Sequence, residues 1–448
     1  MTSLVTRRTV LAMLFAGLSW LGMSAQEEAP AVESAVLDLN LQKCIEIAVA
    51  ENPTIRIADK DIELKKIADK EAWQNLLPTL DATAAIQHSI QVAAIKTAMG
   101  EFKMGMDGST TATAGVTLAL PVFAPAVYQN MKMTKEDILL AQEKARSSRL
   151  DLINQVTKAY YSVLLAKDSR DLMKRSYKVA EDNYTIVSNM YATGRISEYD
   201  KISAEVQMRN MNSSVVNAET GLSLAILRLK VLMGIDTAFG VKIDDSLSAY
   251  KEQVTLANAE APVGEISNNS ALRQLDMNKG LLERARKILR TNFMPTVALQ
   301  LQGQYMSYSN DNWNLFKYHY SPSSTLSFAV QIPIFHASSW TKLQSNRVQL
   351  AQLDDTRTNT VRQLSMAAES YRKNMLSSIT KMESDLEAVK QANKAVEISS
   401  KRYEVGRGTI LELNQSETAL VQAELTYHQG IYDFLSNKAD LDYTMGRE

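Results

Sequence analysis

The chain is 448 residues long, with 49 Lys and Arg against 50 Asp and Glu, a net charge of −1 and a single cysteine, Cys44. Near-neutral charge without a long basic run excludes nucleic acid as an expected partner, and one cysteine excludes an intramolecular disulfide. His88, His319, His336 and His428 are scattered without ligand spacing, so neither a metal site nor a cofactor is expected.

Residues 1–25 read as a secretory signal peptide. Arg7 and Arg8 form its basic start, Val10 to Met23 its apolar run, and Ser24 and Ala25 the small pair before Gln26-Glu27-Glu28. The apolar run is shorter than the roughly 20 residues of a spanning helix. No later segment reaches about 18 apolar residues in a row, so insertion into a membrane would have to use strands. Beyond the signal, Leu41, Cys44, Ile45 and Ala48 repeat at helical spacing, which opens an N-terminal helical segment over 38–77 and makes Cys44 a small buried hydrophobe.

Prolines punctuate the remainder. None falls between Pro125 and Pro262, or after Pro333, and both proline-free tracts are rich in strong helix formers. Before each tract come two alternating stretches. Leu80, Ala82, Ala84 and Ile86 alternate with Asp81, Thr83 and Gln87; Val116, Leu118 and Leu120 follow Thr111 and Thr113 ahead of Pro121. Val297, Leu299 and Leu301 alternate with Gln300, Gln302 and Gln304; Leu326, Phe328 and Val330 precede Pro333. Period two predicts β-hairpins over 78–123 and 295–335, with strands of the length a tilted membrane strand needs. A soluble pair of half-buried hairpins on a helical core fits the same alternation. The connections Lys96 to Ser109 and Ser307 to Pro322 read as loops, the second carrying Trp313, Phe316, Tyr318 and Tyr320, which suit either a membrane interface or an ordinary loop.

The two halves match. Tyr191-Ala-Thr-Gly194-Arg195 recurs as Tyr403-Glu-Val-Gly406-Arg407, and Met233-Gly234 as Met445-Gly446. Pro121 answers Pro333, and Leu77-Pro78-Thr79-Leu80 answers Met294-Pro295-Thr296-Val297. Four landmarks in one order mark a duplication. Long helical hairpins are expected over 124–234 and 336–448, joined by a linker at 235–268 and a helix at 269–294. Met173, Tyr177, Ala180, Tyr184, Val187 and Tyr191 keep the alternating 4,3 spacing of a coiled-coil seam. Each hairpin turns at a glycine, Gly194 or Gly406. Ser197 and Thr409 follow as N-caps, with Glu198, Asp200 and Glu412 in the first turn, where the helix dipole favours acids. A capping role and a functional role are both open for these acids.

With this grammar in place the chain resembles the TolC family of outer-membrane efflux factors. The resemblance rests on Leu39, Lys43, Ala48 and Glu51-Asn52-Pro53 at the start, Leu120-Pro121-Val-Phe before the long helix, the two Tyr-x-x-Gly-Arg tips, and Met-Gly closing each copy. It implies a homotrimer in which each chain gives four strands to a twelve-stranded membrane β-barrel, continued by a long α-helical barrel in the periplasm. Residues 235–268 and the N-terminal helices would form an equatorial belt. It also implies an outer-membrane location in contact with lipid, and a passive duct served by a periplasmic adaptor and an inner-membrane pump. By position Glu412 falls on the family's acidic constriction, and Asp200 and Tyr403 on its latch. Gln415 replaces the second constriction acid, and the latch arginine appears one residue early as Arg407, with Gly408 in its place. The tips at Gly194, Arg195, Gly406 and Arg407 are the expected adaptor-docking sites. A duct for type I protein secretion is the nearest alternative, and a periplasmic coiled-coil adaptor or structural protein the alternative of another class. No arrangement of catalytic residues stands out, so an enzyme is not expected.

Overall fold

The structure is a computed structural model that describes residues 36–97, 100–103, 107–255, 259, 266–309 and 315–447. The expected signal peptide, residues 1–25, and Trp313 lie outside the described residues.

The chain opens with β1 (Val36–Asp38), α1 (Leu41–Glu51) and α2 (Pro53–Gln74). Strands β2 (Thr79–Ser89), β3 (Ala94–Thr97), β4 (Gly100–Lys103) and β5 (Ser109–Phe123) follow, then α3 (Pro125–Ala192) and α4 (Glu198–Met233). After β6 (Gly240–Lys242) and a 3-10 segment at Leu247–Gln253 come α5 (Ser270–Thr291), β7 (Thr296–Ser309) and β8 (Ser321–Gln331). The long pair α6 (Ala337–Glu404) and α7 (Ile410–Met445) ends the chain. The duplication is metrical: α3 and α6 each have 68 residues, α4 and α7 each have 36, and α2 and α5 each have 22. At 1.5 Å per residue the longer helices reach about 100 Å.

Strands β2, β5, β7 and β8 form one antiparallel sheet in that order, so β5–β7 joins the two copies. Register aligns side chains into rows. Leu80 lies opposite Leu118, Leu118 opposite Leu301, and Leu301 opposite Leu326, a leucine from every strand. The neighbouring row is Asp81, Thr117, Gln302 and Thr325. Directly opposed residues share a face and adjacent rows point to opposite faces, so one face is apolar and the other polar, mostly Thr, Ser and Gln with the single carboxylate Asp81 in these rows. Leu80, Leu326 and Phe328 are each about two-thirds exposed, so the apolar face is not covered among the described residues. No helix among the described residues is long and apolar enough to cross a membrane.

The main core lies at mid-length, where α1, α3, α4, α6, α7 and the 247–253 segment meet around Tyr160, Leu164, Leu229, Met233, Leu247 and Phe434. Cys44 is fully buried there, and burial pushes its thiol up to about 12, leaving it unreactive. A repeated stitch holds each copy closed. Asn52 caps α2 by accepting from the Thr54 N–H (2.8 Å), and its Nδ2 donates to the Leu232 carbonyl near the end of α4 (2.7 Å). Asn269 does the same between α5 (Ala271 N–H, 2.8 Å) and α7 (Thr444 carbonyl, 2.8 Å).

Several expectations are corrected. The stretch from Lys96 onward is not all loop: β3 and β4 pair there as a small antiparallel ribbon. Strand β5 runs through Pro121 to Phe123, with a register shift after Pro121 because proline cannot donate to the ladder of an inner strand. Pro322 lies within β8, which tolerates it as an edge strand. Strand β1 pairs in parallel with β6, a pairing of two three-residue strands that no local pattern announced. Tyr318 is buried rather than presented at a surface, whereas Phe316 is fully exposed.

Candidate functional site at the hairpin tips

Both long hairpins reverse through the same backbone device. Gly194 takes φ 70° and Gly406 φ 71°, the left-handed region that a side chain disfavours. The Arg195 N–H donates to the Met190 carbonyl (3.0 Å) and the Arg407 N–H to the Arg402 carbonyl (2.8 Å), while each glycine N–H bonds the tyrosine carbonyl three residues back. This paired closure satisfies the last carbonyls of α3 and α6.

The return helices are capped differently. Ser197 Oγ accepts from the Asp200 N–H (3.2 Å), and Asp200 Oδ2 accepts from both the Ser197 N–H (3.3 Å) and its hydroxyl (2.8 Å). Asp200 is therefore occupied in a capping box. At the second tip Thr409 Oγ1 accepts from the Glu412 N–H (3.2 Å), and the Glu412 carboxylate turns to Arg402 Nη1 at 3.5 Å. Both partners are about half exposed, so the pair contributes at most about 1 kcal/mol. Arg402 Nη2 also donates to the Arg407 carbonyl (3.2 Å). The guanidinium groups of Arg195 and Arg407 are exposed and make no hydrogen bond or ion pair among the described residues.

One small apolar cluster binds the tips together. Val187, Ala204 and Ile196 from the first hairpin pack with Ile410, Leu413 and Tyr403 from the second. Tyr403 is held by this cluster, and its hydroxyl is shut off without a hydrogen-bond partner. Burial raises the Tyr403 phenol pKa, and the negative charge of Asp200 adds to the rise. The structure thus brings Asp200 and Tyr403 into electrostatic reach, without a hydrogen bond between them. Gln415 lies exposed one turn along from Glu412 and shares a cleft with it and Arg402. The Arg407 side chain joins none of these groups; Arg402, which sequence reasoning passed over, makes the pair with Glu412. Its signal was a basic residue in the last turn of a helix whose partner begins with an acid.

Further from the turn, the two hairpins enclose a cavity of about 160 Å³ lined by Leu172, Val179, Met211 and Glu417. Glu417 accepts from Asn183 Nδ2 at 2.6 Å. Burial raises the Glu417 pKa, and the Asn183 bond opposes the rise without cancelling it.

The sequence matches the profile of the outer membrane efflux protein family over residues 44–235 and 262–447. It is 19% identical to the outer membrane protein TolC of Vibrio cholerae over 337 residues, 75% of this chain and 76% of that protein. Against the outer membrane protein OprJ of Pseudomonas aeruginosa it is 23% identical over 191 residues, 41% of this chain but only 38% of OprJ. Its fold superposes on a crystal structure of CusC with a TM-score of 0.73 at 15% identity, covering 92% of this chain and 93% of that one.

Proposed function

The chain belongs to the outer membrane efflux protein family, and from that premise we propose that three copies form a passive duct through the outer membrane, fed by a periplasmic adaptor and an inner-membrane pump. The observation that carries this reading is the sheet. Its leucine face is uncovered, its other face is polar with few charges, and its edges β2 and β8 are unpaired among the described residues. A four-stranded sheet cannot span a membrane with free edges, and bacterial membrane barrels begin at about eight strands. Three copies give twelve strands and a polar lumen wide enough to conduct. The hairpins α3/α4 and α6/α7 then continue the wall as an α-helical barrel in the periplasm.

In this account the tips are the gate and the place where an adaptor docks. Asp200 and the buried Tyr403 hydroxyl form one side of a latch, and Arg407 is free to reach a neighbouring copy. Glu412 and Gln415 line the constriction, with Arg402 partly neutralising Glu412. Gly194, Arg195, Gly406 and Arg407 present two equivalent basic knuckles per chain to the adaptor. The family's duct role calls for no reaction at any of these residues.

Planar-bilayer recording tests the assignment. Wild-type protein is expected to give small openings, Asp200→Ala larger ones, and Glu412→Gln a lower preference for cations. Conductance and selectivity unchanged in both variants would remove the tips from the gate and overturn the assignment.

A further inference from the structure

Resting on the reading that the sheet crosses the outer membrane, we propose that a cleft between α5 and α6, directly below the sheet, binds the phosphate headgroup of an anionic phospholipid in the periplasm-facing leaflet. The cleft has a volume of about 460 Å³ and is lined by Arg286, Arg290, Phe293, Trp340, Leu343 and Arg347. Arg286 and Arg290 are one turn apart on α5; Trp340, Leu343 and Arg347 fall on one face of α6. Three guanidinium groups therefore converge on one apolar-floored hollow.

The three arginines stand without partners at this level among the described residues. Further down, several basic side chains of α5 and α6 meet acids on the partner helix or on α3. Arg284 meets Glu136 at 2.6 Å, Lys279 meets Asp354 at 2.8 Å, and Arg357 meets Asp276 at 2.7 Å. Arg286, Arg290 and Arg347 make no side-chain hydrogen bond or ion pair among the described residues. The first copy of the repeat places Asp69, Trp73 and Lys135 at the corresponding positions, and Asp69 is engaged by the Thr134 hydroxyl at 2.7 Å. The duplicated fold therefore does not require the arginine cluster.

Position supplies the ligand class. The exposed apolar side chains leaving β8 continue through Ile332, Ile334 (94% exposed) and Phe335 (74%) up to the start of α6. Trp340 lies one turn beyond, 60% exposed, with its ring 5.1 Å from that of Phe293. In the first copy Tyr128 takes the place of Trp340 and stands 6.5 Å from Phe123. Aromatic rings at the edge of an apolar band mark the headgroup level of a bilayer. At that level the anion in reach is a lipid phosphodiester, which guanidinium forks bind by paired charge-assisted hydrogen bonds. Phe293 and Leu343 would receive the glycerol and upper acyl carbons.

Native mass spectrometry of the full chain, extracted from membranes in neutral detergent and titrated with phosphatidylglycerol or phosphatidylcholine, tests this. Wild-type protein is expected to bind phosphatidylglycerol in preference. The triple variant Arg286→Gln, Arg290→Gln, Arg347→Gln should bind it about a hundredfold more weakly, from roughly fivefold per arginine. The single variant Arg290→Gln, at an exposed position, should show the fivefold step and keeps the test open if the triple variant fails to assemble. Equal binding of the two lipids by wild type, or unchanged binding by Arg290→Gln, overturns the proposal. So does displacement of the lipid by inorganic phosphate, which would make the ligand a soluble anion. Loss of chains per particle without a change in lipid preference would give the cleft to a neighbouring copy and also overturns it. Conductance of the same preparations reports separately on the duct, so the two readings fail independently.

Discussion

Gly406 and Gly446 have nearly the same backbone, φ 71° and 66°, but different surroundings. Nothing lies near a Cβ built on Gly406, whereas one on Gly446 would sit 2.4 Å from the Asn268 carbonyl oxygen, beside the Asn269 stitch. Gly406→Ala is expected to cost about 1–2 kcal/mol from the left-handed backbone alone. Gly446→Ala should cost about 2–5 kcal/mol, because helix ends must also part. Thermal unfolding of the two variants checks the contrast, and equal losses would contradict it. Glu417 gives a pH dependence of definite sign. Its folded pKa is raised by burial, so its protonated form fits the fold best, and that advantage is lost as pH rises through the folded value. Glu417→Gln keeps an acceptor for Asn183 and removes the buried charge. It should raise the unfolding temperature at neutral pH, with the gain vanishing as pH falls towards the ordinary carboxylate range near 4. A gain that persists unchanged at low pH would rule out buried charge as its source.

At the scale of elements, the caps decide how tightly the tips are held. Ser197→Ala removes the hydroxyl that accepts from the Asp200 N–H and donates to the Asp200 carboxylate, leaving that carboxylate only the backbone N–H of residue 197, a loss of about 1 kcal/mol at that helix start. Amide exchange over residues 198–201 should accelerate about fivefold, and exchange at the second tip should not change. Acceleration at both tips would instead mean that the Val187–Ile410 cluster opens as a unit. These caps, the glycine stops, the proline punctuation and the alternating strands were legible in the sequence because each is a local pattern. What was not legible depends on partners far apart in the chain. The Asn52–Leu232 and Asn269–Thr444 stitches cross well over a hundred residues, and the β1–β6 pairing joins strands too short to show periodicity. At the tip, Arg407 was legible as a basic residue near the expected position, but the ion pair to Glu412 comes from Arg402, because α6 directs that side chain towards the start of α7. The leucine row appeared in the sequence only as four separate alternations; register turned it into a continuous face.

Across the whole molecule, a sheet with one bare apolar face and two unpaired edges is not a finished structure in water. Helices of about 100 Å, packed in hairpins with Ala, Ser and Tyr along their seams, likewise need neighbours to complete a wall. In the proposed duct both incomplete surfaces would be completed by the same operation, a closed ring of identical chains, with lipid against the leucine face. The most direct test is the number of chains in each particle extracted from the outer membrane, determined by native mass spectrometry on the full-length protein. The account predicts three chains per particle, giving twelve strands and a conducting lumen. One chain would contradict it, since the sheet edges would then be unpaired; two would also contradict it, since eight strands enclose an interior filled by side chains.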